Sequence, residues 1–244
     1  MSFLRLLPGR LKAAGGGPVT YTLPSFIGAG AGVSTASNAV NLSPAYPTGT
    51  TGDLFLLHIV GRGQGHTIAE PITNWTKLGD RTFSGASHVW VFYRFHPGGS
   101  LTSPVIDWAS SGGEPTGESI GARIYNWRNV DTGNPFVNFI PVEPSVGTGN
   151  TCPMPALTTA RANSVNMFFS GYGNDMSVAA ATGATGGTWV ETVAEFVSTD
   201  GFDYTIHAQH ANMATVGTIT GGAVSLPSTT SRVGSGFTIQ GKPA

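Results

Sequence analysis

One short stretch spells the motif of a serine nucleophile. The segment GESIG, Gly117 to Gly121, matches the hydrolase pattern G-x-S-x-G. In that pattern a strand precedes the serine and a helix follows it, so that the hydroxyl lies on a strained turn. Here the preceding SSGGEPT has the composition of a loop, and the following ARIYNW alternates like a strand. The context therefore favours a coincidental match in a chain rich in Gly and Ser.

Histidines and carboxylates are the other residues that could do chemistry. His207 and His210 are three residues apart, and on a strand this spacing points the two rings to opposite faces, which suits a metal poorly. Asp107, Glu114 and Glu118 fall near one loop, where two carboxylates at the right separation could hydrolyse a glycosidic bond. The glycine clusters GAGAG and GRGQG lack the spacing of a phosphate-binding or dinucleotide-binding loop. We predict no enzyme, no metal and no cofactor, with a glycan-degrading enzyme as an alternative.

The segment RIYNWRNVDTGNPF, Arg123 to Phe136, is dense in polar and aromatic residues but fits a strand followed by a turn. Tyr125 and Trp127 share one strand face by alternation. The residues DTGNP supply turn chemistry, because Asp accepts hydrogen bonds from backbone two residues ahead and Pro restarts an extended segment. Arg128 is expected to pair with a carboxylate or to lie across an aromatic ring. A structural role explains every residue, so we predict no catalytic group here.

The composition indicates a β protein without a polyanionic partner. Only 10% of the residues are charged, while the chain has 35 Gly and 16 Pro, which are typical of turns. The net charge of −1 gives no basic surface for nucleic acid. No stretch is long and apolar enough to span a membrane. The single cysteine, Cys152, cannot form an intrachain disulfide and is expected to be structural.

Strands must position these residues, because the apolar residues recur with a period of two. The segment DLFLLHIV, Asp53 to Val60, is apolar on both faces, as in a central strand. In HVWVFYRF, His88 to Phe95, one face has Val89, Val91, Tyr93 and Phe95, and the other has Trp90, Phe92 and Arg94. About a dozen short strands separated by turn clusters predict an all-β, antiparallel β-sandwich or jelly-roll-like fold.

The same order of signals occurs twice along the chain. Gly52-Asp53 opens a long apolar strand, and so does Asn163-Ser164. A Gly-rich loop, a strand led by Trp75 or Trp189, and an aromatic strand follow in each case. The repeat is one of pattern rather than identity. It predicts two similar halves and leaves open whether they form one sandwich or two.

The predicted organisation begins with an extended N-terminal arm. Its apolar residues alternate with basic ones, which suits a segment anchored on another protein; the alternative is that it packs back on its own domain. The residues expected to anchor it are Phe3, Leu4, Arg5, Leu6, Leu7, Arg10 and Leu11. The predicted divisions are the arm (1–18), a first half (19–140), a linker or long loop (141–162) and a second half (163–244).

Five signals in a fixed order resemble a β-sandwich module that recurs in structural proteins of tailed bacteriophages. They are TGTTGDLFLLHIV, ITNWTKLGD, VWVFYRF, SPVIDW and ARIYNWRNVDTGNPF, and together they cover about residues 45–140. Members of that family often have Gly where this chain has Asn74 and Asn129, and both changes keep a residue that tolerates positive φ. The resemblance implies a virion component and carries over no cofactor and no catalytic residue.

From the resemblance, the low charge and the arm, we expect a bacteriophage virion structural protein, displayed as a decoration or spike subunit. Its expected partners are capsid or tail proteins and other copies of the chain, and its expected location is the virion, assembled in the host cytoplasm. Placement on head or tail is left open. The alternative is a receptor-binding tail protein or a module that binds a host-surface glycan. In that case four aromatic side chains would stack on sugars if exposed, namely Trp90, Trp108, Tyr125 and Trp127.

Overall fold

The structure is a computed structural model that describes residues 19–35, 41–62, 67–83, 87–109, 119–142, 150–173, 176–198, 204–230 and 232–244. Every element within these residues is a β-strand, and the described part of the chain contains no helix, which confirms the all-β prediction. It accordingly holds no helix that could cross a bilayer. The predicted arm, residues 1–18, lies outside the described residues.

Long strands form where β-branched and aromatic residues alternate without interruption, and short ones form between turn clusters. The first part of the chain supplies β1 (Tyr21–Thr22), β2 (Ser25–Ala29), β3 (Val33–Thr35), β4 (Leu54–Arg62), β5 (Thr67–Ile68), β6 (Thr76–Phe83), β7 (Ser87–Phe95), β8 (Trp108–Ala109) and β9 (Ser119–Arg128). The second part supplies β10 (Phe136–Val142), β11 (Thr151–Pro153), β12 (Leu157–Thr158), β13 (Ser164–Tyr172), β14 (Thr182–Thr185), β15 (Val190–Glu191), β16 (Phe196–Ser198), β17 (Tyr204–Met213), β18 (Thr218–Ser225), β19 (Arg232–Ile239) and β20 (Lys242–Pro243).

Each half builds one large antiparallel sheet, and the two sheets have the same strand order. The first large sheet runs β2-β9-β4-β7-β6, with β3 also pairing with β9. The second runs β10-β19-β13-β17-β15, with β16 also pairing with β17. Numbered along the chain within each sheet, both follow the order 1-5-2-4-3. The two halves predicted from the sequence are therefore present as a repeat of connectivity.

The chain passes from the first large sheet to the second at the turn after β9. Strand β10 pairs with β19, so it belongs to the second sheet, although the sequence placed most of it in the first half. Its alternation is obscured by a register shift between Val137 and Phe139 and by Pro141. Strand β10 is an edge strand, where a proline and a bulge are tolerated.

A smaller layer covers the outer face of each large sheet. In the first half Leu42 bridges Ile106, and β5 pairs with β8. In the second half β11, β12 and β14 all pair with β18. With these pairings each half follows the two-layer connectivity of a jelly roll. Strands β11 and β12 lie in the segment predicted as a linker or long loop, and their lengths of 3 and 2 residues are too short to show a period.

Three apolar cores separate the four layers. The central core lies between the two large sheets, and one outer core lies under each small layer. Strand β4 serves two of them by simple alternation, sending Leu54, Leu56 and Val60 to the central core and Phe55, Leu57 and Ile59 to the first outer core. This explains why the sequence of β4 is apolar on both faces. Each half is thus a sandwich with its own outer core, and the two sandwiches pack against each other through the central core.

Equivalent residues of the two halves contact each other across the central core. By sheet register Leu54 opposes Trp127 and Val165 opposes Ile239, so β4 and β13 occupy equivalent positions. Counting from these pairs, His58 is the counterpart of Phe169, and their rings stack with centroids 4.5 Å apart. Such contacts are typical of an isologous interface, at which a residue meets its own counterpart. The two sheets therefore pack through the same surface of each half.

A methyl group at Gly121 should disturb this interface. Its Cβ would lie 1.7 Å from the hydroxyl oxygen of Tyr204, which β17 buries in the central core. We expect Gly121→Ala to lower the free energy of unfolding, measured in urea, by about 1–3 kcal/mol, the usual cost of overpacking. Gly28→Ala is the matched control, because nothing lies within 4 Å of its Cβ position, and it should change stability by less than about 1 kcal/mol. Equal losses in the two variants would contradict the packing.

Candidate functional site

A half-buried ion pair, Asp53–Arg128, joins the first and the last of the five sequence signals that resemble the phage module. Asp53 immediately precedes β4, and Arg128 ends β9, the neighbouring strand in the sheet. The guanidinium donates from Nε to Asp53 Oδ1 and from Nη2 to Asp53 Oδ2, both at 2.8 Å. The Asp53 side chain is 3% exposed, whereas that of Arg128 is 41% exposed. The two-point geometry fixes the ends of two adjacent strands against each other.

Further donors surround the Asp53 carboxylate. The Thr50 backbone amide donates to Oδ2 at 2.8 Å and the Asn126 side-chain amide at 3.3 Å. Burial alone would raise the pKa of Asp53, but the hydrogen bonds from Arg128, Thr50 and Asn126 outweigh it and lower the pKa to about 2. The carboxylate is therefore ionised and fully engaged at neutral pH, which suits a structural clamp and not a general acid.

An open polar cavity of about 470 Å³ adjoins this pair, with Lys242 on its wall. The second carboxylate on its wall, Asp131, is also engaged: Arg161 donates to it at 2.5 Å, and the Gly133 amide at 2.9 Å. The hydrogen bond from Gly133 is the turn contact that the sequence predicted. Because both carboxylates are neutralised by arginine, neither is placed to move a proton for a substrate.

Two asparagines adopt the backbone conformation expected from the sequence. Asn74 has φ 65° and Asn129 has φ 63°, both in the left-handed region that Gly and Asn tolerate. Asn129 directly follows Arg128 and redirects the chain towards β10. Asn163, which precedes β13, has φ 53° and is the counterpart of Gly52, with φ 87°, before β4. The positions that the resemblance singled out are thus turning points of the backbone.

The four aromatic residues considered for glycan stacking are all buried. Their exposed fractions are 2% for Trp90, 3% for Trp108, 1% for Tyr125 and 1% for Trp127. Trp90 and Trp108 belong to the first outer core, and Tyr125 and Trp127 belong to the central core. Stacking on a sugar requires an exposed ring, and none of these four rings is exposed, because each packs between two layers of the fold.

The residues that could have done chemistry have structural surroundings. Ser119 is a buried residue at the start of β9, not a strained turn before a helix. Cys152 is buried, and burial raises the pKa of its thiol to about 12, far from a reactive thiolate. His207 lies on the outer side of β17, whereas the His210 ring contacts Trp127 of the central core at 5.3 Å. The two rings face opposite ways, as predicted, and the described residues contain no group that could hold a metal.

The remaining sequence candidates are only partly placed. Asp107 is exposed beside β8, and Glu114 and Glu118 lie outside the described residues. The anchoring residues Phe3, Leu4, Arg5, Leu6, Leu7, Arg10 and Leu11 also lie outside them. Predictions that depend on these residues stay predictions.

A smaller cleft, which we call the Tyr46 cleft, was not anticipated from the sequence. It has a volume of about 230 Å³ and is lined by Tyr46, Thr73, Asn74, Trp75, Arg94, Thr102, Ser103, Pro104 and Val105. Tyr46 and Arg94 are 48 residues apart and come from a loop and from β7. The one sequence signal for this cleft is Arg94, which alternation places on the same face of β7 as Trp90. A charged residue there interrupts an otherwise apolar face.

Comparisons of the chain with protein-family models, with curated proteins and with solved structures found no match.

Proposed function

We propose that the chain is a structural protein of a bacteriophage virion, displayed on the particle surface and anchored there through residues 1–18. It binds capsid or tail proteins and other copies of itself, and it works without catalysis and without a cofactor. It joins the virion during assembly in the host cytoplasm.

The observation that carries the proposal is that the first and the last of the five motifs are in direct contact in the structure. The Asp of TGTTGDLFLLHIV and the second Arg of ARIYNWRNVDTGNPF form the Asp53–Arg128 pair. The Asn of ITNWTKLGD and the Asn that follows Arg128 take the positive φ values that the family's Gly would allow. The contact between these two motif residues supports a likeness that goes beyond composition.

The physical character of the molecule also supports a role as a display module. Two jelly rolls packed through a central core form a scaffold whose described residues contain strands and no helix. Its low charge, 10% of residues with a net charge of −1, causes little repulsion between neighbouring copies. Such a scaffold suits a subunit that binds to the capsid or tail surface and exposes its loops to solvent.

The test is to locate the chain on particles. Virions from the strain that encodes it should be purified on a density gradient, labelled with an antibody raised against the purified chain, and analysed by quantitative mass spectrometry. We expect label on every particle and a fixed ratio of this chain to the major capsid protein. A chain that stays in the soluble lysate and never sediments with particles would refute the proposal.

The anchoring role of the arm is tested separately. Particles assembled without the chain should bind the added full-length protein but not a variant that lacks residues 1–18. Circular dichroism should give the same β spectrum for both proteins, because the described sheets begin after residue 18. Equal binding of both proteins would leave the virion role standing and eliminate the arm as the anchor.

A further inference from the structure

The Tyr46 cleft combines one accessible aromatic ring with one cation. The Tyr46 ring is half-buried and lies parallel to Trp75, with centroids 6.0 Å apart and an interplanar angle of 14°. Its hydroxyl accepts a hydrogen bond from Arg94 Nη1 at 2.9 Å. The guanidinium lies 5.8 Å from the Tyr46 centroid and 6.0 Å from the Trp75 centroid. The ring and the cation therefore present adjacent surfaces to the same small space.

The Arg94 guanidinium has unused hydrogen-bonding capacity. No carboxylate lies within ion-pair distance of it among the described residues, in contrast to Arg128 and Arg161. Its Nε is buried and has no hydrogen-bond partner in the part of the chain that the structure describes. A buried donor without a partner costs free energy, and a planar guanidinium suits a carboxylate. Because Nε is closed off from solvent, an anion in the cleft would bind the terminal nitrogens of Arg94, which no carboxylate of the described residues neutralises.

The rest of the lining selects among anions. Thr73, Asn74 and Thr102 are exposed at the rim and offer hydroxyl and amide groups. Val105, 58% exposed, adds an apolar patch beside them. A volume of about 230 Å³ is smaller than the ~300–1,000 Å³ of most drug-sized pockets and suits a single ring. An aromatic face, several hydroxyl partners and one guanidinium together fit a ring that carries both hydroxyl groups and a carboxylate.

We propose that the Tyr46 cleft binds a sugar carboxylate, with the carboxylate on Arg94 and the sugar ring against Tyr46. The ligand class is a uronic acid or another acidic monosaccharide unit of a surface glycan. This proposal concerns a site different from the four buried rings, and it holds for the purified chain whether or not the chain resides on a virion.

The second half contains a natural comparison for this site. Trp189, the counterpart of Trp75, lines a cleft of about 290 Å³ whose other lining residues are Ala180, Ala181, Thr182, Gly183, Ala184, Gly187 and Thr188. By sheet register Leu54 pairs with Phe95 and Val165 with Asn212, so the residue equivalent to Arg94 is the buried Ala211. The cation is thus present in one half and absent from the other. The proposal therefore predicts one binding site per chain rather than two.

The experiment is an NMR titration of the purified chain with methyl β-D-glucuronide. The readout is the indole N–H signals of the tryptophans, with that of Trp75 assigned from a Trp75→Phe variant. We expect saturable shifts of the Trp75 signal in the millimolar range and no shift of the Trp189 signal. Methyl β-D-glucoside, which has CH₂OH in place of the carboxylate, should bind at least about tenfold more weakly, since a charge-assisted hydrogen bond is worth about 1.5–3 kcal/mol.

Three variants assign the binding to this cleft. Arg94→Gln should abolish saturation by the glucuronide. Thr102→Glu, at an exposed position, should weaken binding about tenfold or more by supplying an internal carboxylate for Arg94, and it tests the site even if Arg94→Gln unfolds the chain. Lys242→Gln removes the same charge from an exposed strand and should bind like the unmodified chain.

Four results would overturn the assignment. They are no shift of the Trp75 signal with the glucuronide, equal affinity for the glucoside, equal affinity for acetate, which carries the charge without the ring, and unchanged binding in Thr102→Glu. None of them bears on whether particles carry the chain, so a failure here is distinguishable from a failure of the virion role.

Discussion

Replacing Asp53 with Ala should lower the free energy of unfolding by about 1–3 kcal/mol. The substitution removes both hydrogen bonds that Arg128 donates and leaves the Thr50 amide without its acceptor. Asn126 loses the weaker of its two hydrogen bonds and keeps the one to the Thr48 carbonyl. The Arg128 side chain is 41% exposed and can be hydrated once its partner is gone, so the cost is that of the lost hydrogen bonds, about 1–3 kcal/mol. Urea denaturation followed by circular dichroism at pH 7 measures the loss.

The same carboxylate should make stability depend on acid. Its pKa is lowered in the folded chain from 3.8 to about 2, so its contribution is fully present above pH 3.8 and is lost as the pH falls towards 2. The difference in unfolding free energy between the unmodified chain and Asp53→Asn should therefore be constant from pH 7 to about pH 5 and shrink below pH 4. A difference that stays constant down to pH 2 would contradict an ionised, paired Asp53.

Glu70→Gln is the matched control for Asp53. Glu70 pairs with Lys77 at 2.8 Å, but the two side chains are 38% and 33% exposed. An ion pair this open to water contributes about 0–1 kcal/mol. We expect the control to lose less than about 1 kcal/mol at pH 7. A loss as large as that of Asp53→Ala would show that burial does not distinguish the two pairs.

Replacing Phe169 with Ala should destabilise both halves at once, by about 3–5 kcal/mol. The ring stacks on His58 of the first half and contacts Tyr125 at 5.0 Å and Phe237 at 5.3 Å, so it connects the two large sheets. Truncation leaves a cavity that neither sheet can close without moving the other. Phe169→Leu keeps most of the volume and should lose about 1 kcal/mol.

The cooperativity of unfolding tests the shared core. Tryptophan fluorescence reports mainly the first half, which contains all the tryptophans except Trp189, whereas far-UV circular dichroism reports both halves. We expect the two signals to change in a single coincident urea transition in the unmodified chain, and to shift together in Phe169→Ala. Two separated transitions in the unmodified chain would mean that the halves unfold independently and that the central core contributes little.

Much of the fold follows from local sequence. The apolar residues of β4, β7 and β9 alternate without interruption, so their faces could be assigned before the partners were known. The repeat of Gly52-Asp53 in Asn163-Ser164 marks the start of the two equivalent strands β4 and β13. Of the two partners expected for Arg128, a carboxylate or an aromatic ring, the structure shows the carboxylate, because an arginine at a strand end needs a partner once it is partly buried.

The rest depends on contacts between distant residues that leave no period in the sequence. Strand β10 crosses to the second sheet, and β11 and β12 form only because β18 offers an edge to them. The tryptophans looked available for ligands because alternation gives the face of a strand but not what covers that face. Both faces of the first large sheet are covered, which buries Trp90 on one side and Trp127 on the other.

The like-for-like contacts in the central core give the chain the layout of a symmetric homodimer whose two subunits are joined in one polypeptide. In a true homodimer every mutation appears twice, so any new charge or pocket must be tolerated at both positions. Fusion removes that restriction and lets each copy diverge alone. By sheet register, Ser164 is the counterpart of Asp53 and Gln240 is the counterpart of Arg128. Ala211 is the counterpart of Arg94. At these three positions the first half has charged residues and the second half has neutral ones.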